Sequence, residues 1–167
     1  MNITLIGLPA AGKTTLGKRL AKELGWDFVD FDDVIIAEFG MRKDIIAEQG
    51  EDAMLEIESN VISRAEGDSI VFSPGGSVVL SPPAINHLKS ISIVIYLEIS
   101  LDVLEKRTTD PIGRGVIGAR NMALEQIYQI RHELCKKYAQ YTVSCNKDDD
   151  ELQYNLLRTF IKKSFSI

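Results

Sequence analysis

Hydrophobic positions along the chain follow two patterns, short continuous apolar runs and longer segments with helical spacing. The short runs predict buried strands at residues 2–7, 27–31, 69–73, 91–97 and 141–144. The segments with helical spacing predict helices at 13–24, 33–39, 51–65, about 82–88, 101–107 and 119–138, with a last helix that begins at the acidic run 148–151. Strands that alternate with helices predict an α/β fold whose parallel sheet is covered on both faces.

Composition narrows the class of protein. The 167 residues, 45% of them hydrophobic, suit one domain (1–167) with a single packed core. Cys135 and Cys145 lack CxxC spacing, and we interpret them as reduced thiols. The chain leads directly into its first strand and has no apolar run near 18 residues, so we expect a cytoplasmic protein without a membrane segment. We also expect a monomer. A net charge of −5 with scattered cations argues against nucleic acid as a partner.

A glycine-rich motif of the form G-x-x-x-x-G-K-[ST] occupies residues 7–14, between a predicted strand and a predicted helix. Its glycines let backbone amides surround phosphate oxygens, and the helix N-terminus adds positive potential. Lys13 is predicted to reach the β- and γ-phosphates, and Thr14 to give its hydroxyl to Mg²⁺. The motif predicts a site for Mg-ATP formed by Gly7, Ala10, Ala11, Gly12, Lys13, Thr14 and Thr15. GTPases and motor ATPases share this loop, so the acceptor side must decide the activity.

Three carboxylates, Asp30, Asp32 and Asp33, stand at the end of the second predicted strand. Ligands of open α/β sheets bind beyond the carboxyl ends of the strands, so we expect these side chains to face the phosphates. Strand alternation places Asp30 and Asp32 on the same side. One carboxylate could then hold a magnesium-bound water while the other accepts a hydrogen bond or proton from a substrate hydroxyl. The alternative is that Asp32 or Asp33 only caps the following helix.

The sequence resembles the shikimate kinase family almost from end to end. The matching positions are the P-loop, F-x-D-x-D at 28–32, Gly50-Glu51 with Glu58, the G-G-x-V turn at 75–78, Arg107, Arg114 and Arg131. The resemblance implies a P-loop fold like that of nucleoside-monophosphate kinases, with a five-stranded parallel sheet, a helical substrate-binding region at about 32–65 and a mobile lid at about 108–118. It implies ATP-dependent phosphorylation of shikimate to shikimate 3-phosphate, a step of aromatic amino acid biosynthesis.

The resemblance also implies roles for several of the matching residues. Lys13 and Arg114 would neutralise charge on the transferring phosphoryl group, and Asp32 would orient the attacking hydroxyl. Mg²⁺ would be held by Thr14 and Asp30. Gly75, Gly76 and Arg131 would bind the substrate, with Arg131 on its carboxylate. Arg107 would contact the adenine.

The sequence departs from the family pattern on the acceptor side. Leu55 stands where the motif G-E-x-x-F-R has an arginine, and Pro74, which has no N–H to donate, replaces the first glycine of G-G-G. Glu133 and Cys135 replace the proline and tyrosine of R-x-P-L-Y. Losing one hydrogen bond to a charged group would weaken shikimate binding roughly ten- to 150-fold.

Several interpretations therefore stay open. Arg42 or Arg64 could supply the missing charge, or the acceptor could be another small polyol or hydroxy acid, with Leu55 lining a more apolar wall. A non-catalytic nucleotide-binding module would be expected to lack Lys13, Asp32 or the lid arginine, all of which are present. A nucleoside-monophosphate kinase would need several acceptor-side arginines for a phosphate, and a water-activating ATPase would need a strand that ends in Asp-Glu.

Overall fold

The computed structural model describes residues 1–146 and 150–165. Its elements are, in chain order, β1 (Ile3–Ile6), α1 (Lys13–Leu24), β2 (Asp27–Asp30), α2 (Phe31–Phe39), α3 (Arg42–Gln49), α4 (Glu51–Ser63), β3 (Ile70–Ser73), a 3-10 turn (Val78–Leu80), α5 (Pro82–Ile91), β4 (Ile93–Glu98), α6 (Leu101–Arg107), α7 (Leu124–Tyr138), β5 (Tyr141–Ser144) and α8 (Asp150–Phe165). The strands form one five-stranded sheet in the order β2-β3-β1-β4-β5, and every neighbouring pair is parallel. The predicted α/β class is confirmed.

The central strands β1 and β4 are buried in the core, and the carboxyl ends of β1, β2 and β3 lie at the same edge of the sheet. All four residues of β1 are buried, and so are the four central residues of β4. Because β2, β3 and β1 are neighbours, the loops that follow Asp30, Ser73 and Ile6 leave the same edge of the sheet. The apolar strand pattern therefore places the P-loop, the first carboxylates and the Gly75-Gly76 turn side by side.

Helix α8 is held on α1 by polar contacts at the surface. Tyr154 and Arg158 of α8 both donate to the carboxylate of Glu23, at 2.5 Å each. These hydrogen bonds, with a weaker one from Lys162, lower the pKa of Glu23 to about 2. The C-terminal helix is thus fixed against the helix that follows the P-loop.

Helix α3 is an element that the hydrophobic pattern misses. Its buried residues, Ile45 and Ile46, are adjacent in sequence, so they do not show the three- or four-residue spacing by which a helix is recognised. Gly40 and Gly50 flank it with positive φ angles of 93° and 91°. Such angles favour glycine and allow the chain to turn sharply at both ends of a short helix. The segment between the predicted helices at 33–39 and 51–65, to which the pattern assigns no element, therefore contains a helix whose first residue is Arg42.

Several predicted boundaries are wrong. Helix α7 begins at Leu124 and not at 119, because residues 119–122 form turns and the Gln126 side chain accepts a hydrogen bond from the Ala123 amide at 3.0 Å. Helix α5 continues to Ile91, which the pattern assigns to the next strand. The predicted start of the last helix at Asp148 and Asp149 lies outside the described residues.

Two findings concern the class of protein. Cys135 and Cys145 are free and buried, and burial raises the pKa of their thiols to about 12 and about 11. Both thiols are therefore kept in the neutral form at ordinary pH. Within 1–146 and 150–165, no helix combines the length and apolar character needed to cross a bilayer.

Candidate active site

A cavity of about 370 Å³ lies beyond the carboxyl ends of β1, β2 and β3. It is lined by the P-loop and the first turn of α1, the start of α2, the 73–77 turn, residues 114–117, Arg42 of α3 and Arg131 of α7. The lining residues are spread along the sequence from Pro9 to Arg131. The parallel sheet and its helices bring them into one concave site, where phosphate-binding backbone and acceptor-side charges face the same space.

Lys13 lies across the P-loop at the N-terminus of α1. Its Nζ donates to the carbonyl oxygens of Gly7 and Leu8, both at 3.0 Å. Burial lowers the pKa of Lys13, and the nearby carboxylate of Asp32 opposes this shift. The ammonium group, the loop amides and the helix N-terminus thus concentrate positive potential where an anion would enter.

Ala10 adopts a backbone conformation that is unusual for a residue with a side chain. Its φ is 60°, in the left-handed region that favours glycine. A left-handed conformation costs an L-residue about 1–2 kcal/mol, whereas glycine pays a smaller entropic cost in the unfolded chain. The P-loop of this chain is therefore formed with some backbone strain at Ala10.

We expect Ala10→Gly to raise the free energy of unfolding by up to about 1 kcal/mol, because relief of the left-handed strain exceeds the added entropy of the unfolded glycine. Urea unfolding measures the change. Ala11→Gly is the matched control, since Ala11 is fully buried and has no positive φ. We expect that control to lose stability. Equal destabilisation by both substitutions would refute the strain at Ala10.

Asp30 connects the P-loop to the start of α2. Its Oδ2 accepts a hydrogen bond from Thr14 Oγ1 at 2.6 Å, and its Oδ1 accepts one from the Asp32 backbone amide at 3.0 Å. Asp30 is therefore the N-cap of α2, and the interpretation of Asp32 or Asp33 as the cap is wrong. The alternation argument is also wrong, since β2 ends at Asp30 and Asp32 belongs to the first turn of α2.

The Thr14–Asp30 pair supplies the kind of oxygen ligands that Mg²⁺ prefers. Among the residues that the structure describes, no group of three or more His, Cys, Asp or Glu side chains is arranged to hold a metal ion. Mg²⁺ in phosphotransferases usually has few protein ligands and completes its coordination with waters and phosphate oxygens. A hydroxyl and a carboxylate 2.6 Å apart at the mouth of the P-loop fit that requirement.

A network of polar side chains joins four elements on the acceptor side of the cavity. Arg42 donates to Asp32 Oδ1 at 3.0 Å and to Ser77 Oγ at 2.9 Å. Ser77 in turn donates to Glu58 Oε2 at 2.5 Å. Glu58 is fully buried, and burial raises its pKa although Arg42 opposes the shift. Gly75 packs so closely here that an added Cβ would lie 2.6 Å from Glu58 Oε1 and 3.1 Å from Asp32 Oδ1.

Arg131 places a buried cation on the cavity wall. Its side chain donates to the Ile117 carbonyl oxygen at 2.7 Å, and the residue is only 3% exposed. Burial lowers the pKa of Arg131 to about 10, with Glu58 opposing the shift. Within the described ranges, no carboxylate lies at ion-pair distance from this guanidinium. Arg131 is therefore a fixed positive charge that a ligand anion could neutralise.

The other predicted residues divide into two groups. The cavity lining includes Ala10, Ala11, Gly12, Lys13, Thr14, Thr15, Asp30, Asp32, Pro74, Gly75, Gly76, Arg114 and Arg131. Gly7 is not part of it and instead packs on the Leu97 carbonyl. Arg107 is also outside the lining, and its Nη1 donates to the Ala10 carbonyl at 3.4 Å, while Arg114 donates to the Arg107 carbonyl at the same distance.

Arg42 and Arg64, the two arginines that could replace the missing charge, lie in different surroundings. Arg64 points away from the cavity and pairs with Glu38 at 2.7 Å, whereas Arg42 lies in the cavity lining. Leu55 packs against the hydrophobic core and is not one of the lining residues. The idea of an apolar wall formed by Leu55 therefore finds no support in the cavity's composition.

Glu58 and Ser77 belong to the acceptor-side network although sequence reasoning gave them no role. For Glu58 a usable signal exists. It falls on α4 between the buried residues Met54 and Val61, where the helical spacing calls for an apolar side chain. An ionisable residue at such a position needs a polar partner, and here that partner is the Ser77 hydroxyl.

Comparison with known proteins identifies the family. The family model described as shikimate kinase matches residues 9–164. The chain belongs to the shikimate kinase family. A shikimate kinase of Francisella tularensis subsp. holarctica is 34% identical over 165 residues, covering 96% of this chain and 94% of that protein. One of Actinobacillus succinogenes is also 34% identical, over 160 residues that cover 92% of this chain and 91% of that protein.

A solved structure agrees with this assignment. The shikimate kinase from Acinetobacter baumannii in complex with shikimate superposes with a TM-score of 0.85 at 28% identity, covering 98% of this chain and 94% of that one. Membership of the shikimate kinase family makes the chain an ATP-binding small-molecule kinase with the P-loop fold.

Proposed function

We propose that the chain transfers the γ-phosphoryl group of Mg-ATP to the 3-hydroxyl of shikimate, giving shikimate 3-phosphate and ADP. One observation carries the choice of an acid as acceptor. Arg131 is a buried guanidinium that lines the cavity and has no carboxylate partner among the described residues. A neutral polyol would leave this charge unpaired and poorly solvated, whereas the carboxylate of shikimate would pair with it.

The proposed division of roles follows the positions of the side chains. The loop amides and Lys13 would hold the β- and γ-phosphates, and Arg114 on the lid would add a second cation once it faces the nucleotide. Thr14 and Asp30 would hold Mg²⁺, whose chemistry is to neutralise charge on the phosphate oxygens. Arg107, whose side chain is bonded to the Ala10 carbonyl of the P-loop, would contact the adenine.

On the acceptor side, Asp32 would orient the attacking hydroxyl and accept its proton as the new P–O bond forms and the bond to ADP breaks. Its place in the first turn of α2, within the same cavity as Lys13, supports this role. The amides of Gly75 and Gly76 would hold the remaining hydroxyls, and Pro74 contributes no donor there. Arg131 would pair with the carboxylate.

A coupled assay of ADP release tests the acceptor. We expect shikimate to stimulate ADP release with a kcat in the usual kinase range of about 1–100 s⁻¹ and a KM below about 1 mM. Mass spectrometry should identify one phosphate added to shikimate. A reaction without acceptor gives the basal ATP hydrolysis, and calorimetry confirms ATP binding. Intact ATP binding without stimulation at millimolar shikimate would exclude shikimate as the acceptor.

A further inference from the structure

Arg42 lies on the acceptor side of the cavity, beside Asp32, Ser77 and Glu58. It is the first residue of α3, and only 11% of its side chain is exposed. Its bonds to Asp32 and Ser77 use two of the five N–H donors of a guanidinium, so donors remain for a ligand. Glu58 Oε1 lies 3.6 Å from Arg42 Nη1 and has no hydrogen-bond partner among the described residues.

The buried carboxylate of Glu58 can be reached by an arginine from either of two helices. Leu55 and Glu58 are three residues apart on α4, so an arginine at position 55 would lie on the same face as Glu58. Helices α3 and α4 pack against each other. Arg42 reaches Glu58 from α3 instead, with Ser77 bonded to both. The buried glutamate thus has a cation beside it without any arginine at position 55.

The charges around this point favour an anionic ligand. Arg42 and Arg131 both line the cavity, and both interact electrostatically with Glu58. If Asp32 binds a substrate hydroxyl, the carboxylate of Glu58 is left to balance the guanidinium groups of Arg42 and Arg131. The site then has a local excess of positive charge, which a neutral acceptor would not compensate.

We propose that Arg42 is a specificity-determining residue that binds the carboxylate of the acceptor together with Arg131, so that the enzyme selects hydroxy acids over neutral polyols. This inference rests on the proposed function and names the group that replaces the arginine absent at position 55. The competing explanation is that Arg42 only positions Asp32, to which it is bonded at 3.0 Å.

The two explanations differ in what happens to a substrate without a carboxylate. The test uses shikimate and its primary amide, which keeps the ring and hydroxyls but carries no charge. For Arg42→Met we expect the KM for shikimate to rise about 10- to 100-fold, as for loss of a charged hydrogen bond. The kcat/KM for the amide should fall much less than that for shikimate, because the lost bond to Asp32 affects both substrates alike and only shikimate also loses the contact with its carboxylate. Arg64→Met, a surface arginine paired with Glu38, is the matched control and should leave both substrates unaffected.

A second variant guards against a folding defect. Arg42→Met leaves Glu58 buried without its guanidinium, so Arg42→Met/Glu58→Gln removes both charges, and we expect it to show the same selective loss. Equal losses for acid and amide in both variants would overturn the role of Arg42 in recognising the carboxylate. Failure of the proposed function gives a different result, which is that the wild-type enzyme binds ATP but is not stimulated by shikimate. That result would also remove the basis for the Arg42 inference.

Discussion

Lys13→Met is expected to reduce kcat about 10³-fold while the protein stays folded. The ammonium group lies across the P-loop, bonded to the Gly7 and Leu8 carbonyls at 3.0 Å, in the cavity that also contains Asp32. Methionine has a similar length and no charge, so it removes the group that would balance the negative charge on the transferring phosphoryl oxygens. Steady-state kinetics with saturating ATP and shikimate measure the loss.

The control for this prediction is Lys22→Met, an exposed lysine in the last turn of the same helix. It should leave kcat within about twofold, and both variants should have the circular dichroism of the wild type. Calorimetry with an ATP analogue separates weaker nucleotide binding from slower chemistry. A Lys13→Met enzyme with wild-type kcat would show that the P-loop ammonium has no part in phosphoryl transfer.

Asp32→Asn is expected to lower kcat about 10²- to 10⁴-fold with a smaller effect on KM for ATP. The amide keeps the shape of the side chain but can no longer accept a proton from the attacking hydroxyl. The start of α2 should be unaffected, because its cap is Asp30, whose Oδ1 accepts the Asp32 backbone N–H at 3.0 Å. The loss should therefore appear in catalysis and not in stability, and thermal unfolding checks the second part.

Asp33→Asn is the matched control for this substitution. Asp33 is exposed, lies in the same first turn of α2 and does not line the cavity. We expect its kcat to stay within about twofold of wild type. If the two asparagine variants lose activity equally, the effect comes from the charge of the helix start, and Asp32 has no specific role in orienting the hydroxyl.

The sheet and the P-loop could be predicted from sequence because their signals are local. A continuous apolar run followed by G-x-x-x-x-G-K-T defines β1, the loop and the start of α1 without reference to any other part of the chain. The hydrophobic pattern predicts all five strands, and the family resemblance implies the same number. The position of Asp32 in the cavity was also expected, although the strand alternation used to argue it does not apply to a residue on α2.

The acceptor side was predicted less well, since it depends on contacts between distant residues. Helix α3 shows only two adjacent buried isoleucines, so no periodic pattern reveals it or the direction of Arg42. The contacts of Arg42 with Ser77 and Glu58 bridge 35 and 16 positions of the chain. Arg42 and Arg64 are equally plausible candidates in the sequence, and the structure distinguishes them because Arg42 lines the cavity whereas Arg64 pairs with Glu38.

The close packing of α3 on α4 affects how sequence differences among related proteins should be interpreted at this pocket. Helix α4 carries the buried carboxylate of Glu58 and α3 packs beside it, so a cation can reach this carboxylate from either helix. Loss of an arginine from one helix can then be offset by an arginine on the neighbouring helix. A sequence alignment would show a missing arginine at one position although the charge of the pocket is unchanged. Assigning acceptors to divergent chains of this kind requires summing the charges that reach the pocket in three dimensions.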